Sequence, residues 1–179
     1  MKVVIGLGNP GKQYEKTRHN VGFLILDEVA KRLNIQVNTR KFKALIGEGF
    51  VNMEKVIFVK PQTYMNLSGE AVLEILNYYN LDESDLFVIT DDLDLELGKL
   101  RLRDKCLASG QKGVQNIIDR LGTQNFLRLK VGIGNNKMIE TKDYVLGKLD
   151  KDTPVQKAAD CVVDYLEGMP LLDLMNRYN

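Results

Sequence analysis

One histidine occurs in the 179 residues, His19, and its side chain is the one whose ordinary protonation range suits general-base work near neutrality. Alone, it is better explained as a surface or helix-capping residue. Asn9, Asn66 and Asp91 change its standing, because each falls at or near the end of a predicted element, where they can converge on one pocket. A carboxylate bonded to one imidazole nitrogen fixes the tautomer and leaves the other nitrogen free to take a proton from water.

Two other chemistries compete for the same residues. Asp91, Asp92 and Asp94 are hard oxygen donors of the kind that hold magnesium, but alternation along an extended chain sends Asp92 and Asp94 to one side and Asp91 to the other. One carboxylate serving His19 is the simpler reading. Gly6-x-Gly8-x-x-Gly11 matches a dinucleotide fingerprint, which requires a helix opening at the glycines and an acid ending the next strand about 20 residues on. Neither condition is met: Pro10 and a polar stretch follow the glycines, while Asp27 and Glu28 fall within a helical pattern. No cofactor is expected. Tyr64 and Met65 line an apolar wall or pack in the core, and the sequence leaves both open.

The elements that must position these residues follow from apolar periodicity. Val3 to Leu7 reads as a buried strand ending at Gly8-Asn9-Pro10-Gly11. Phe23, Leu26, Ala30 and Leu33 follow helical spacing, with Asn20 as N-cap. Lys43 to Phe50 and Lys55 to Val59 form a hairpin around Asn52-Met53-Glu54, ended by Lys60-Pro61. Ser68 caps a helix carrying Val72, Ile75, Leu76 and Tyr79, and Leu86 to Thr90 is the next buried strand, delivering Asp91 at its C-terminal end. Leu100 to Arg103 alternates as a half-exposed strand, Val114 to Leu121 forms a short helix, and Leu127 to Ile133 alternates again. An amphipathic helix from Val155 to Leu166 finishes the chain. The fold class expected is α/β: a single domain, residues 1–179, with a mixed twisted β-sheet flanked by helices on both faces.

Length and composition set the bounds. A chain of this size buries roughly 70% of its unfolded surface without disulfides or metals. No apolar run approaches the roughly 20 residues that span a bilayer, so a cytoplasmic protein with no membrane partner is expected. Cys106 and Cys161 lie far apart outside any CxxC and read as reduced thiols. The net charge of +1 hides an asymmetry: seven acids and no base from Asp82 to Glu96, then eight Lys or Arg against Asp104 and Asp119 from Lys99 to Lys130. The basic segment is either a footprint for nucleic-acid phosphates or a solvated face.

Three motifs together resemble the bacterial-type peptidyl-tRNA hydrolases: Gly6-Leu-Gly-Asn-Pro-Gly-Lys-Gln-Tyr-Glu-Lys-Thr-Arg-His-Asn-Val-Gly22, Lys60-Pro-Gln-Thr-Tyr-Met-Asn-Leu-Ser-Gly69 and Asp91-Asp-Leu-Asp-Leu95. The resemblance runs from Val3 to roughly Leu149. It implies hydrolysis of the ester joining peptide to tRNA by an enzyme without metal or cofactor, acting as a monomer on peptidyl-tRNA. His19 would be the base and Asp91 its orienter. Asn9 and Asn66 would hold the peptidyl moiety and its carbonyl, with Tyr14 beside the tRNA end; Tyr64 and Met65, if they form the apolar wall read above, would line the substrate site. Arg103 and Lys130 would clamp the 5′-phosphate.

The resemblance breaks in one loop. Where the family has Gly-Ser-x-Gly-Gly-His-Asn-Gly, this chain reads Cys106-Leu-Ala-Ser-Gly-Gln-Lys-Gly113. The substrate-holding asparagine becomes Lys112, which donates but cannot accept, and the histidine becomes Gln111. Two glycines are lost, which should change the loop's shape. This loop raises the alternative of a relative that binds RNA without efficient turnover.

Overall fold

Val3, Val4 and Ile5 are fully buried in the first strand, Lys2–Gly6 (β1), as a β-branched run covered on both faces must be. The computed structural model describes residues 1–179. After β1 come Val21–Arg32 (α1), Thr39–Lys41 (β2), Ala44–Val51 (β3), Glu54–Pro61 (β4), Ser68–Tyr79 (α2), Leu86–Asp92 (β5), Leu100–Arg103 (β6) and Lys112–Leu121 (α3). Leu127–Gly132 (β7), Thr141–Val145 (α4), Val155–Leu166 (α5) and Leu171–Tyr178 (α6) complete the chain.

The seven strands form one sheet in the order β2-β3-β4-β1-β5-β7-β6. β4, β1, β5 and β7 run parallel, while β2 and β3 on one side and β6 on the other are antiparallel to their neighbours. This is the single-domain mixed α/β fold expected from sequence. Alternating side chains divide the core in two. On one face Val4, Phe58 and Phe87 pack against Ile25 and Val29 of α1 and Ala158 and Val162 of α5. On the other, Ile5, Ile57 and Val88 pack against Val72 and Ile75 of α2 and Ile117 of α3. Each such Ile, Val or Phe contributes about 1.5–3 kcal/mol by burial.

The glycines of the first motif work by size. A Cβ on Gly6 would lie 2.4 Å from the Gly22 carbonyl oxygen, and one on Gly8 would strike the Phe23 ring at 2.7 Å. They let α1 lie against the end of β1, which is a packing role.

Several expectations need correction. β4 continues through Pro61, and its hairpin turn is only Asn52-Met53, with φ of 51° and 66°. Neither predicted cap acts as one. Ser68 is the first residue of α2 and its Oγ donates to the Met65 carbonyl at 2.8 Å, while Asn20 leaves α1 uncapped because its side chain is taken up elsewhere. α5 does not finish the chain: α6 follows, burying Leu174 and Tyr178 against the sheet's β6 side. α4 is also unanticipated; five residues are too few to show a period. No helix is long and apolar enough to cross a membrane.

Candidate active site

The four parallel strands deliver their C-terminal ends to one edge of the sheet, the place where ligands bind in open α/β folds. β1 leads to Asn9 and His19, β4 to Tyr64, Met65 and Asn66, and β5 to Asp91. Residues 72 apart in sequence thereby touch: His19 Nδ1 lies 2.8 Å from Asp91 Oδ2. The pair is sheltered, with the His19 side chain 14% and Asp91 3% exposed. An ionised Asp91 accepts from an Nδ1–H, which assigns the proton to Nδ1 and leaves the Nε2 lone pair available.

Asn9 is held from three directions. Asn20 Oδ1 accepts from the Asn9 backbone N–H and Asn20 Nδ2 donates to the Asn9 carbonyl, each at 2.9 Å. The Met65 N–H donates to Asn9 Oδ1 at 2.7 Å. That last bond orients the carboxamide: its oxygen is occupied, so the NH₂ group is the part left to donate to a ligand.

Asp91's second oxygen is used as well. Gln111, at the N-terminus of α3, donates from Nε2 to Asp91 Oδ1 at 3.0 Å and accepts the Val114 N–H on Oε1 at 2.8 Å. Its loop keeps a left-handed turn in spite of the lost glycines, since Ser109 adopts φ 52° ahead of Gly110 at φ 84°. That conformation costs a non-glycine residue about 1–2 kcal/mol.

Arg128 accounts for the loop's position. It is completely buried: Nη1 donates to the Cys106 carbonyl at 2.9 Å, Nη2 to those of Gln124 and Phe126, and the guanidinium sits 4.1 Å from the centre of the Phe126 ring. Burial pulls its pKa below the usual arginine value. Within the basic segment read as a phosphate footprint, Arg128 is thus a structural member that solvent does not reach. Lys130 lies 3.7 Å from Asp92, so the acidic motif divides its carboxylates between His19 and a lysine.

A cavity of about 350 Å³ opens at this edge, lined by Asn9, His19, Asp91, Gln111, Lys112 and Lys130 among others. Its far wall is α4, with Thr141, Lys142 and Val145. Arg18, the neighbour of His19, fastens that wall: Nη1 donates to the Tyr144 carbonyl at 2.9 Å and the guanidinium stacks 4.0 Å from the Tyr144 ring centre.

Of the residues singled out from sequence, Asn9, His19, Asp91, Lys112 and Lys130 are brought together around this cavity. Met65 is buried beside it, touching Asn9 and Gln111, so packing and wall roles coincide. Tyr14 and Tyr64 meet edge to face, 6.5 Å between ring centres, with Tyr64 exposed. Asn66 is exposed and does not line the cavity; it sits in the 3₁₀ turn Met65–Leu67 with its side chain unbonded. Arg103 also lies outside the cavity. It pairs across strands with Arg128, as Arg101 does with Lys130, which places all four on one face of the sheet. Sequence reasoning missed Asn20, Arg18, Gln111 and Arg128 as supports; their spacing carries no signal, because each acts on a partner distant in sequence.

The profile of the family described as peptidyl-tRNA hydrolase matches residues 3–179, past the point near Leu149 where the motif resemblance ends. Peptidyl-tRNA hydrolases of Bacillus thuringiensis subsp. konkukian and Bacillus subtilis are 50% and 49% identical to it, covering all of this chain and 100% and 98% of their own. A solved peptidyl-tRNA hydrolase structure from Acinetobacter baumannii is similar with a TM-score of 0.86 at 29% identity, over 99% of this chain and 93% of that one. Matched from residue 3 to residue 179 and half identical over its whole length to proteins of that name, the chain belongs to the peptidyl-tRNA hydrolase family.

Proposed function

We propose that this chain hydrolyses the ester between the peptide and the 3′ end of tRNA, with His19 as general base. The observation that carries the reading is the sheltered His19–Asp91 pair at 2.8 Å, set beside the oriented amide of Asn9 in a member of this family. Asp91 holds the Nδ1–H, so Nε2 accepts a proton from water as the water oxygen bonds to the ester carbonyl carbon. The carbonyl oxygen becomes negative in the tetrahedral intermediate, and the free NH₂ of Asn9 donates to it without adding charge. Collapse breaks the bond from carbon to the 3′ oxygen, which takes the proton from His19 and leaves as free tRNA.

Lys112 and Lys130 supply positive charge to the cavity, and Arg103 extends it along the sheet face. We assign Lys130 and Arg103 to the 5′-phosphate and Lys112 to a nearer phosphate, with binding energy there holding the ester against His19. Tyr64, Met65 and Asn66 flank the peptidyl end, and Tyr14, against Tyr64, flanks the tRNA end. We further propose that it acts as a monomer in the cytoplasm, where its tRNA substrate is used.

A relative that binds RNA without turnover, the alternative raised by the Cys106–Gly113 loop, gains no support: the proteins half identical to this chain are named peptidyl-tRNA hydrolases, and Gln111 of that loop bonds Asp91. The reading is tested by hydrolysis of N-blocked aminoacyl-tRNA in ¹⁸O water. One label in the released carboxylate and none in the tRNA is expected; no release, or label in the tRNA, overturns it.

A further inference from the structure

We infer that Gln111 is a positioning residue for the base pair of the reaction proposed above: it fixes Asp91 from the side opposite His19 with a donor that does not titrate. The inference rests on that reading of His19.

The geometry leaves Gln111 one orientation. Its Oε1 must accept from the Val114 N–H, 2.8 Å away, and its Nε2 must face Asp91 Oδ1, 3.0 Å away, since a flipped amide would set oxygen against carboxylate and N–H against N–H. Nε2 also lies 3.2 Å from Met65 Sδ. Gly113 permits this packing, as a Cβ there would come within 2.6 Å of that sulfur and 3.1 Å of Gln111 Oε1. The amide is therefore anchored to the first turn of α3 and to the wall beside Asn9, and Asp91 is gripped between two donors, one on each oxygen.

That grip has a chemical consequence. A donor on Oδ1 withdraws charge from the carboxylate, so Asp91 stabilises the imidazolium of His19 less than an unshared carboxylate would. An imidazole at position 111 would also donate, but it would itself titrate and compete with His19 for the same carboxylate, giving coupled steps. The amide keeps the orienting bond and leaves a single titration. The other charged groups around the pair are Arg18, Asp92, Lys112, Arg128, Lys130 and Lys142.

Since His19 is the sole histidine, its ring resonances report the titration by NMR without substrate. Wild type should show one step and the Nδ1-protonated tautomer. In Gln111→Leu the midpoint should rise by about 0.5 pH unit, the acidic limb of kcat/KM should follow it, and kcat should fall about tenfold with KM changed less than about twofold. Gln111→Glu keeps the acceptor for Val114 but sets a second carboxylate against Asp91, so the midpoint should rise by about 1 unit or more, a result that does not depend on the leucine variant folding well. Gln111→His should restore kcat to within about threefold of wild type while splitting the titration into two steps. Midpoints unmoved in both the Leu and Glu variants overturn the role given to Gln111. An active wild type with unmoved midpoints sinks that role alone, whereas an inactive wild type with moved midpoints sinks the hydrolase reading alone.

Discussion

Asn20 bonds both backbone polar groups of Asn9, N–H and C=O, at 2.9 Å each, and is 1% exposed while doing so. The loop after β1 is thereby fixed at the residue whose side chain faces the cavity. Asn20→Ala should remove both bonds, lowering stability by about 2 kcal/mol and kcat by about tenfold. Asn20→Asp keeps the acceptor for the N–H but turns a carboxylate oxygen on the Asn9 carbonyl, so it should not rescue. Denaturant unfolding and steady-state kinetics on the two variants check this; an Asp variant with wild-type kcat would count against it.

Lys130 is 14% exposed and 3.7 Å from Asp92, near enough to temper its charge without burying it. If it contacts a phosphate, Lys130→Ala should raise KM about tenfold, leave kcat nearly unchanged, and reduce the slope of log KM against log salt by about 1. A fall in kcat with an unaltered salt slope would place Lys130 elsewhere in the reaction.

Arg128 holds three carbonyls and no carboxylate, and its Nε has no partner. Arg128→Met relieves the burial of a charge but leaves those carbonyls unsatisfied, and the second effect is the larger. A loss of about 2–4 kcal/mol is expected, read as a Tm lower by roughly 10 °C. Hydrogen exchange should quicken in residues 104–111 before it does in β5 or β7.

At the hairpin, Asn52 and Met53 both have positive φ, and Met53 is 97% exposed, so its side chain contributes nothing against the strain of its backbone. Met53→Gly should stabilise the protein by about 1 kcal/mol, giving the Asn-Gly pair that two-residue turns of this kind favour. Calorimetry should show a Tm raised by roughly 3 °C. A lower Tm would mean that the entropy gained by the unfolded chain outweighs the relieved strain.

His19 and Asp91 were legible in the sequence because each stands at the end of a strongly apolar strand or beside a helix start, and parallel strands gather their ends. The hairpin and the alternating strands β6 and β7 were legible for another reason, a period of two. Asn20 was misread because an asparagine before an apolar run predicts a cap by local rule, whereas two backbone groups of Asn9 outcompete the helix for its amide. Arg128 counted as surface charge because composition does not distinguish a solvated arginine from one wrapped by carbonyls. Gln111 appeared only as a departure. Its bond to Asp91 depends on how the loop from Cys106 is folded back by Arg128, a relationship between residues 17 and more positions apart that no spacing encodes.

Whether His19 activates water for ester hydrolysis is decided by the rate of peptide release from N-blocked aminoacyl-tRNA by wild type and His19→Ala under saturating substrate. Loss of the general base should lower kcat by about 10²–10⁴-fold with the fold intact. A His19→Ala variant that releases peptide at the wild-type rate would mean that His19 is not the base.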